Sequence, residues 1–435
     1  MGGSQRRFKF TTVLSYLLLF SFFAGLYFGW GIALGKAGAY GYLNAALNAD
    51  HERVISDLTD VNGYHGRTDV HPLFVLFLNP IGLLLSKSFG SALTAAVLIN
   101  SVAGALCVVL AYAFFKRSGL NGFTAAAFAT ILGFSATHLF FGSTPETWIF
   151  AAAGVVLLFF LALVRPGRTS AFLPAGIFAV GMLTSNLAPA VIAFGAGIYK
   201  RVSGKLLLAK VFFFGLAVTA CVAVLSVLQK LLYPSSTVFF LPGVYRNEFS
   251  AYAPIIRYWG ELGPGYFSAR TAELIGVMFL YNVVAPDAVV RWYSAGKYCL
   301  PLRPFVNVDL PGSSLPGLFA AAFWLALLIW AGYSFVRHRE NREPVLIGLL
   351  LTVLFYVAFY LIYGTTLYVY AISTAFPLLA AAALALRPYD RPGTKRYYVL
   401  AATLTCFVVL LMANNLYFMW QIYAVFHSYG PPALP

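Results

Sequence analysis

Apolar runs of about twenty residues, many closed at one end by lysine or arginine, recur along this 435-residue chain and leave it one kind of fold. A hydrocarbon core of about 30 Å takes roughly 20 residues of helix to cross. Within it every backbone N–H and C=O must be bonded inside the chain, which a helix achieves alone. With 60% hydrophobic and only 10% charged residues, no stretch outside the runs is large enough to fold as a soluble domain. The reading is an all-α, polytopic membrane protein, a single integral membrane domain over residues 1–435.

Charge orients the runs, because short loops rich in Lys and Arg stay on the cytoplasmic side. Arg6, Arg7 and Lys9 precede Phe10–Leu34, a run too long for a cleaved signal peptide and lacking a small-residue cleavage site, so it is read as a retained anchor crossing outward. The run Pro72–Leu85, broken by Asn79–Pro80, is assigned to the outer interface. Ala171–Tyr199 is read as a hairpin of two short helices, since Thr184–Asn186 and Pro189 interrupt it and a single crossing would carry the next basic loop outward. The result is about eleven spans, N-terminus in and C-terminus out, with 18 of the 29 basic residues inside beside only Glu340, Glu343 and Asp390. These basic loops are read as orientation and contact with anionic lipid rather than nucleic-acid binding. The four cysteines form no disulfide framework, and the chain lacks any Asn-x-Ser/Thr triplet; the localisation expected is a bacterial plasma membrane.

Two long segments fall outside, 35–91 and 233–314, each expected to carry an interfacial helix. Between Asp50 and Pro72 stand five of the 14 acidic residues and three of the six histidines. Asp50, Arg53, Asp57 and Asp60 fall at helical spacing with Val54, Leu58 and Val61 on another face, the pattern of an amphipathic helix on the membrane surface with Asp50 as its cap. His51, His65 and His71 with the acids are donors that suit zinc or manganese, but the spacing matches no compact ligand motif, and a divalent cation stays an open alternative. Glu146, in Ser143–Trp148, either caps the following helix or faces the first loop's carboxylates. In the second segment Arg246, Arg257, Arg270, Arg291, Lys297 and Arg303 alternate with tyrosines, which suits a lipid phosphate and a sugar ring and equally an interfacial belt. Arg291, Lys297 and Arg303 are favoured because they follow the apolar stretch Leu274–Val284. Phosphate loops, GxSxG and a helix-opening GxGxxG are absent, so ATP-driven transport, serine hydrolysis and nicotinamide chemistry have no support.

In the order and sidedness of these patches the chain resembles the GT-C glycosyltransferases, of the dolichyl-phosphate-mannose-protein mannosyltransferase and aminoarabinose transferase kind. Asp50-His51-Glu52-Arg53 is similar to the acidic pair that opens that family's interfacial helix, and Val70-His71-Pro72-Leu73 to its Lys/His-Pro-Pro-Leu turn with one proline fewer. Glu146 stands where the family has an acid at its fourth span. Thr184 alone represents a Thr-Lys-Gly, and Tyr368, Tyr370 and Pro377 resemble a late aromatic-proline pattern. The resemblance implies transfer of a single sugar from a polyprenyl-phosphate donor to a hydroxyl of a glycan, lipid or protein acceptor on the outer face. Asp50 would be the general base, with inversion, and Arg53, Asp57, His71, Glu146, Arg291, Lys297, Arg303 and Tyr370 would surround the substrates. The alternatives are a lipid-linked saccharide transporter or flippase, for which neither acids within spans nor inverted repeats are visible, and a non-catalytic member of a glycan-assembly complex.

Overall fold

The computed structural model describes residues 2–41, 45–253, 263–293, 303–308, 314–338 and 343–429, with backbone alone for 2–12, 292–293 and 303–308. From the N-terminus, α1 (Gly2–Lys36) is followed by two shorter helices, α2 (His51–Thr59) and α3 (Phe74–Phe89), and by α4 (Ala92–Arg117). A bent pair, α5 (Gly122–Phe134) and α6 (Ala136–Ser143), leads to α7 (Trp148–Val164) and then to α8 (Thr169–Met182) and α9 (Leu187–Ile198). After α10 (Gly204–Leu232) come α11 (Pro242–Tyr252), α12 (Pro264–Gly276) and two strands, β1 (Ala288–Tyr293) and β2 (Arg303–Val308). The helices α13 (Leu315–Arg337), α14 (Pro344–Ile362), α15 (Ile372–Leu386) and α16 (Lys395–Tyr429) follow.

Among the described residues seven helices are long and apolar enough to cross a membrane, and the α5–α6 pair makes an eighth if it counts as one span. The chain is therefore a polytopic integral membrane protein. The other three expected crossings, α7, α8 and α9, are apolar helices of 17, 14 and 12 residues. The α8–α9 break falls at a 3-10 turn, Thr184–Asn186. There the buried Asn186 amide donates to the carbonyls of Ala151 and Ala179 and accepts from Tyr356, so the freed backbone groups are bonded within the protein. Arg201 donating to the Pro166 carbonyl closes the other end of the hairpin.

Two expectations are corrected. Asn79–Pro80 does not break its helix: α3 runs through Pro80, and the Asn79 amide is spent on the carbonyls of Asp57 and Asp60, tying α2 down. Leu274–Val284 is not a helix lying free on the surface of the bundle. Leu274, Val277, Met278 and Val283 are buried, because this stretch is wedged against the 61° bend between α5 and α6. The bend frees the N–H groups of Ala136 and Thr137, which donate to the carbonyls of Val283 and Asn282. Asn415 on α16 pins the wedge from behind, donating to Phe134 and Val283 and accepting from Ala285. The fold is all-α as expected, with one short addition, an antiparallel ribbon in which Ala288 pairs with Val308 and Tyr293 with Arg303; both strands are rich in valine and aromatic residues, which suit a pleated surface.

The bundle has two distinct ends. At one, the segments 45–73, 143–147, 182–186 and 363–367 come together, joined for instance by Asn48 to Thr366 and His71 to Met182. At the other, Asp390 accepts from the Asn121 N–H at 2.6 Å and the Thr124 hydroxyl at 2.6 Å, amid Lys116, Arg117, Arg387 and Arg391. Close helix approach positions the first end. A Cβ on Gly82 would lie 2.0 Å from the Leu58 carbonyl oxygen, so α2 rests on α3 backbone to backbone, and one on Gly31 would lie 2.2 Å from that of Ser143. Where lipid is as apolar as leucine, such small-residue contacts supply the packing.

Candidate functional site

The first loop folds into a charged cluster on α2, as the spacing of Asp50, Arg53 and Asp57 with Val54 and Leu58 anticipates, whereas Asp60 and Val61 fall past the end of the helix and are exposed. Val54 and Leu58 are fully buried, and Asp50 occupies the N-cap position. Its side chain makes no capping bond. Instead Arg53 bridges two carboxylates two turns apart, with Nε 3.1 Å from Asp50 Oδ2 and a terminal nitrogen 2.7 Å from Asp57 Oδ2. Asp57 is buried rather than solvated, and its second oxygen accepts from His65 Nδ1 at 2.7 Å. Asp50 differs: its side chain is 34% exposed, and Oδ1 has no hydrogen bond among the described residues.

Glu146 comes to the same place from the α6–α7 turn. Asn100 on α4 donates to the carbonyls of Thr144 and Glu146 and fixes that turn. Glu146 Oε1 accepts the Asp50 backbone N–H at 2.8 Å, and Oε2 accepts the Thr147 N–H at 2.6 Å. Glu146 makes no capping bond to α7, whose N-cap is Thr147, and instead faces the first loop through the Asp50 N–H. Burial first, then Asp50, pushes its carboxyl up to about 7, against the opposing pull of Arg53.

His51 and His71 are neutral spacers. His71 donates through Nδ1 to the Met182 carbonyl at 2.7 Å, which leaves Nε2 to accept from the Thr147 hydroxyl at 3.2 Å. Burial holds His71 well below the usual histidine range and takes His51 down to about 4. His51 donates to the Pro145 carbonyl. The three rings thus face three different partners, and among the described residues no three His, Cys, Asp or Glu side chains converge as a metal would require. The Thr147 hydroxyl lies 3.2 Å from both His71 Nε2 and Glu146 Oε2. Its one proton can serve His71 when Glu146 carries its own, and turn to Glu146 when it does not.

Glu146 therefore has a pH signature. A folded-state value above the ordinary 4.5 means that the native protein holds this proton more tightly than the unfolded chain, so its contribution to stability is full below about 4.5 and is lost as pH rises to about 7. Glutamine cannot ionise. The melting temperature of Glu146→Gln relative to the parent should rise between those two pH values and level off above them. A difference independent of pH would show that this carboxyl does not titrate there.

Beside the cluster lies a second, unanticipated one. Arg67, in the turn Gly66–Asp69, pairs bidentately with Glu248 on α11 at 2.7 and 3.2 Å, and its guanidinium sits 4.9 Å over the Tyr252 ring. Burial keeps the Tyr363 phenol far above its usual range, so it stays a donor, and it donates to Glu248. Arg270, one of the basic residues of the second segment, is spent elsewhere, donating to the carbonyls of Tyr360, Leu361, Tyr363 and Gly364 at the end of α14. Between these groups is a cavity of about 270 Å³, walled by Trp148, Thr184, Ser185, Tyr245, Glu248 and Tyr363 among others. Glu248 is its only charged lining residue among the described residues, and its volume is close to the small end of ligand pockets, about 300 to 1,000 Å³.

Of the residues anticipated, Asp50, Arg53, Asp57 and Glu146 form one hydrogen-bonded set, and His71 joins it through Thr147. Tyr370 packs edge-on to Trp148 at 5.0 Å and stacks on Tyr360 at 4.6 Å, behind the cavity wall. Arg291 is exposed on β1 and takes no part in the bonded carboxylate set. Lys297, Arg257 and Cys299 lie outside the described residues, as does the side chain of Arg303. Arg67, Glu248, Thr147 and Asn100 were not anticipated. Scarcity of acids was the available signal for Glu248, the next carboxylate after Glu146; for Arg67 there was none, since it belongs to no periodic pattern. No protein-family model matches this chain, and no curated protein is significantly similar to it.

Proposed function

We propose that this chain is a membrane glycosyltransferase that moves a single sugar from a polyprenyl-phosphate donor to an acceptor hydroxyl, inverting the anomeric centre, on the non-cytoplasmic face of an eleven-span bundle. The observation that carries the reading is the Asp50–Arg53–Asp57–Glu146 set at one end of an apolar bundle, beside a cavity walled by aromatic and hydroxyl side chains. Such walls stack on and bond a sugar ring, and the surrounding helices suit a donor that stays in the membrane.

A general base needs an exposed carboxylate with a free oxygen, and Asp50 alone in the set meets both requirements. Arg53 holds that carboxylate by its other oxygen, and Asp57 with His65 fixes Arg53. As the acceptor oxygen attacks the anomeric carbon, its proton passes to Asp50 and the bond to the donor phosphate breaks. The leaving phosphate needs a cation. Arg67 reaches the cavity wall through Glu248, whereas Arg270 is taken up by backbone carbonyls, and we assign the role to Arg67 rather than to Arg291, Lys297 and Arg303. Removing a charge-assisted hydrogen bond to a phosphate costs about 1.5 to 3 kcal/mol, so Arg67→Ala should weaken binding of a prenyl monophosphate by about ten- to a hundredfold while Arg291→Ala leaves it unchanged. Titration into purified protein reads this. The reverse pattern would return the phosphate to the ribbon.

The whole reading is tested by supplying purified protein in lipid nanodiscs with polyprenyl-phosphate sugars and following release of the lipid phosphate. Movement of the intact lipid-linked sugar across the membrane without its cleavage would favour the transporter reading instead.

A further inference from the structure

The cavity beside Glu248 is the upper end of something longer. Thr184, Ser185, Leu187 and Thr219 line both it and a second cavity of about 760 Å³. That one in turn shares Val191, Leu208 and Val211 with a third of about 490 Å³, which ends at Tyr199, Lys200 and Pro344. Along α14 and its C-cap the lining residues include a stripe at every fourth position, Ile347, Leu351, Phe355, Phe359 and Tyr363. Sixteen residues at about 1.5 Å each make a groove about 24 Å long, most of the depth of a hydrocarbon core of about 30 Å. Below Ser185 its walls are apolar apart from Thr219 and the terminal Tyr199 and Lys200, and its lips, such as Leu208 at 72% and Phe212 at 66% exposure, open sideways to lipid.

From this continuity we infer that the groove between α9, α10 and α14 seats the donor's prenyl tail along almost the full depth of the membrane, and so selects donors by tail length. The inference rests on the glycosyltransferase reading for the identity of the lipid, and on the chained cavities for the length. A short tail fills only the part nearest Ser185. A long one reaches the cavity at Lys200 and gains the burial of each further methylene.

The test is binding of farnesyl phosphate and of a long-chain polyprenyl phosphate to the purified full-length protein, with Val211→Trp and Leu351→Trp as plugs. Val211 stands where the second and third cavities meet, and Leu351 is 48% exposed, so a larger ring there has room. The parent should prefer the long chain, and each plug should remove that preference by about tenfold for every two methylenes kept out, with farnesyl phosphate binding unchanged. Equal affinity of the parent for both probes, or a long-chain preference that survives both plugs, would overturn the tail-length inference while leaving the donor reading intact. Binding of neither probe would remove the donor reading itself. Equal competition by a phosphatidic acid against the long-chain probe would show that the groove holds ordinary lipid, and would also overturn the inference.

Discussion

Asp50→Asn should lower transfer turnover by about 10² to 10⁴, the usual loss when a positioned base is removed, and leave the fold and lipid-phosphate binding as they were. The structure says why this exchange is structurally mild. Asp50 is the most open of the connected carboxylates, its side chain does no helix capping, and an asparagine oxygen can still accept from Arg53. The backbone N–H that meets Glu146 is untouched by the change. Initial rates, a melting curve and a prenyl monophosphate titration on the same preparation separate catalysis from folding and binding. Parental turnover would take Asp50 out of the mechanism; a lost fold would make it a structural residue.

Asp57→Asn should do the opposite, with a loss of stability larger than its direct effect on chemistry. Both Asp57 oxygens are used, one by Arg53 and one by His65, and the residue is 2% exposed. Taking the charge away leaves the Arg53 guanidinium, its side chain only 16% exposed, with Asp50 as its one carboxylate, and breaking a buried pair costs about 3 to 5 kcal/mol. Removing the arginine as well, in Arg53→Met with Asp57→Asn, should recover much of that stability, because no buried charge is then left unmatched. Thermal unfolding in detergent of the single and double variants reads this directly. If the double variant is no more stable than the single one, the ion pair is not what holds α2 in place.

The spacing that places Asp50, Arg53 and Asp57 along one side of α2 was legible, because three- and four-residue periodicity is a local property of the chain. Which carboxylate is open and which is sealed was not. That depends on Gly82 letting α2 settle onto α3, and on His65 folding back across it, neither of which the helical pattern of α2 contains. Pro80 misled in the same way. Its missing N–H was a sound reason to expect a break, but the protein kept the helix and used the adjacent Asn79 to bond the end of α2. The stretch Leu274–Val284 was too short to cross and was assigned to the surface. A kinked neighbour with two N–H groups in need of acceptors supplied the reason to bury it.

Hydropathy, helix-breaking residues and charge, read over a few dozen positions, were enough to put this chain in a membrane, to interrupt a helix at Thr184–Asn186 and to gather its acids ahead of Pro72. It took the packed bundle to bring Arg67 to Glu248 across 181 positions, to have Asn100 set the turn carrying Glu146, and to leave a groove between α9, α10 and α14. Pairings of this kind are fixed by which helices can approach closely and by the need to bond every buried polar group, and both conditions exist only once the whole bundle has packed.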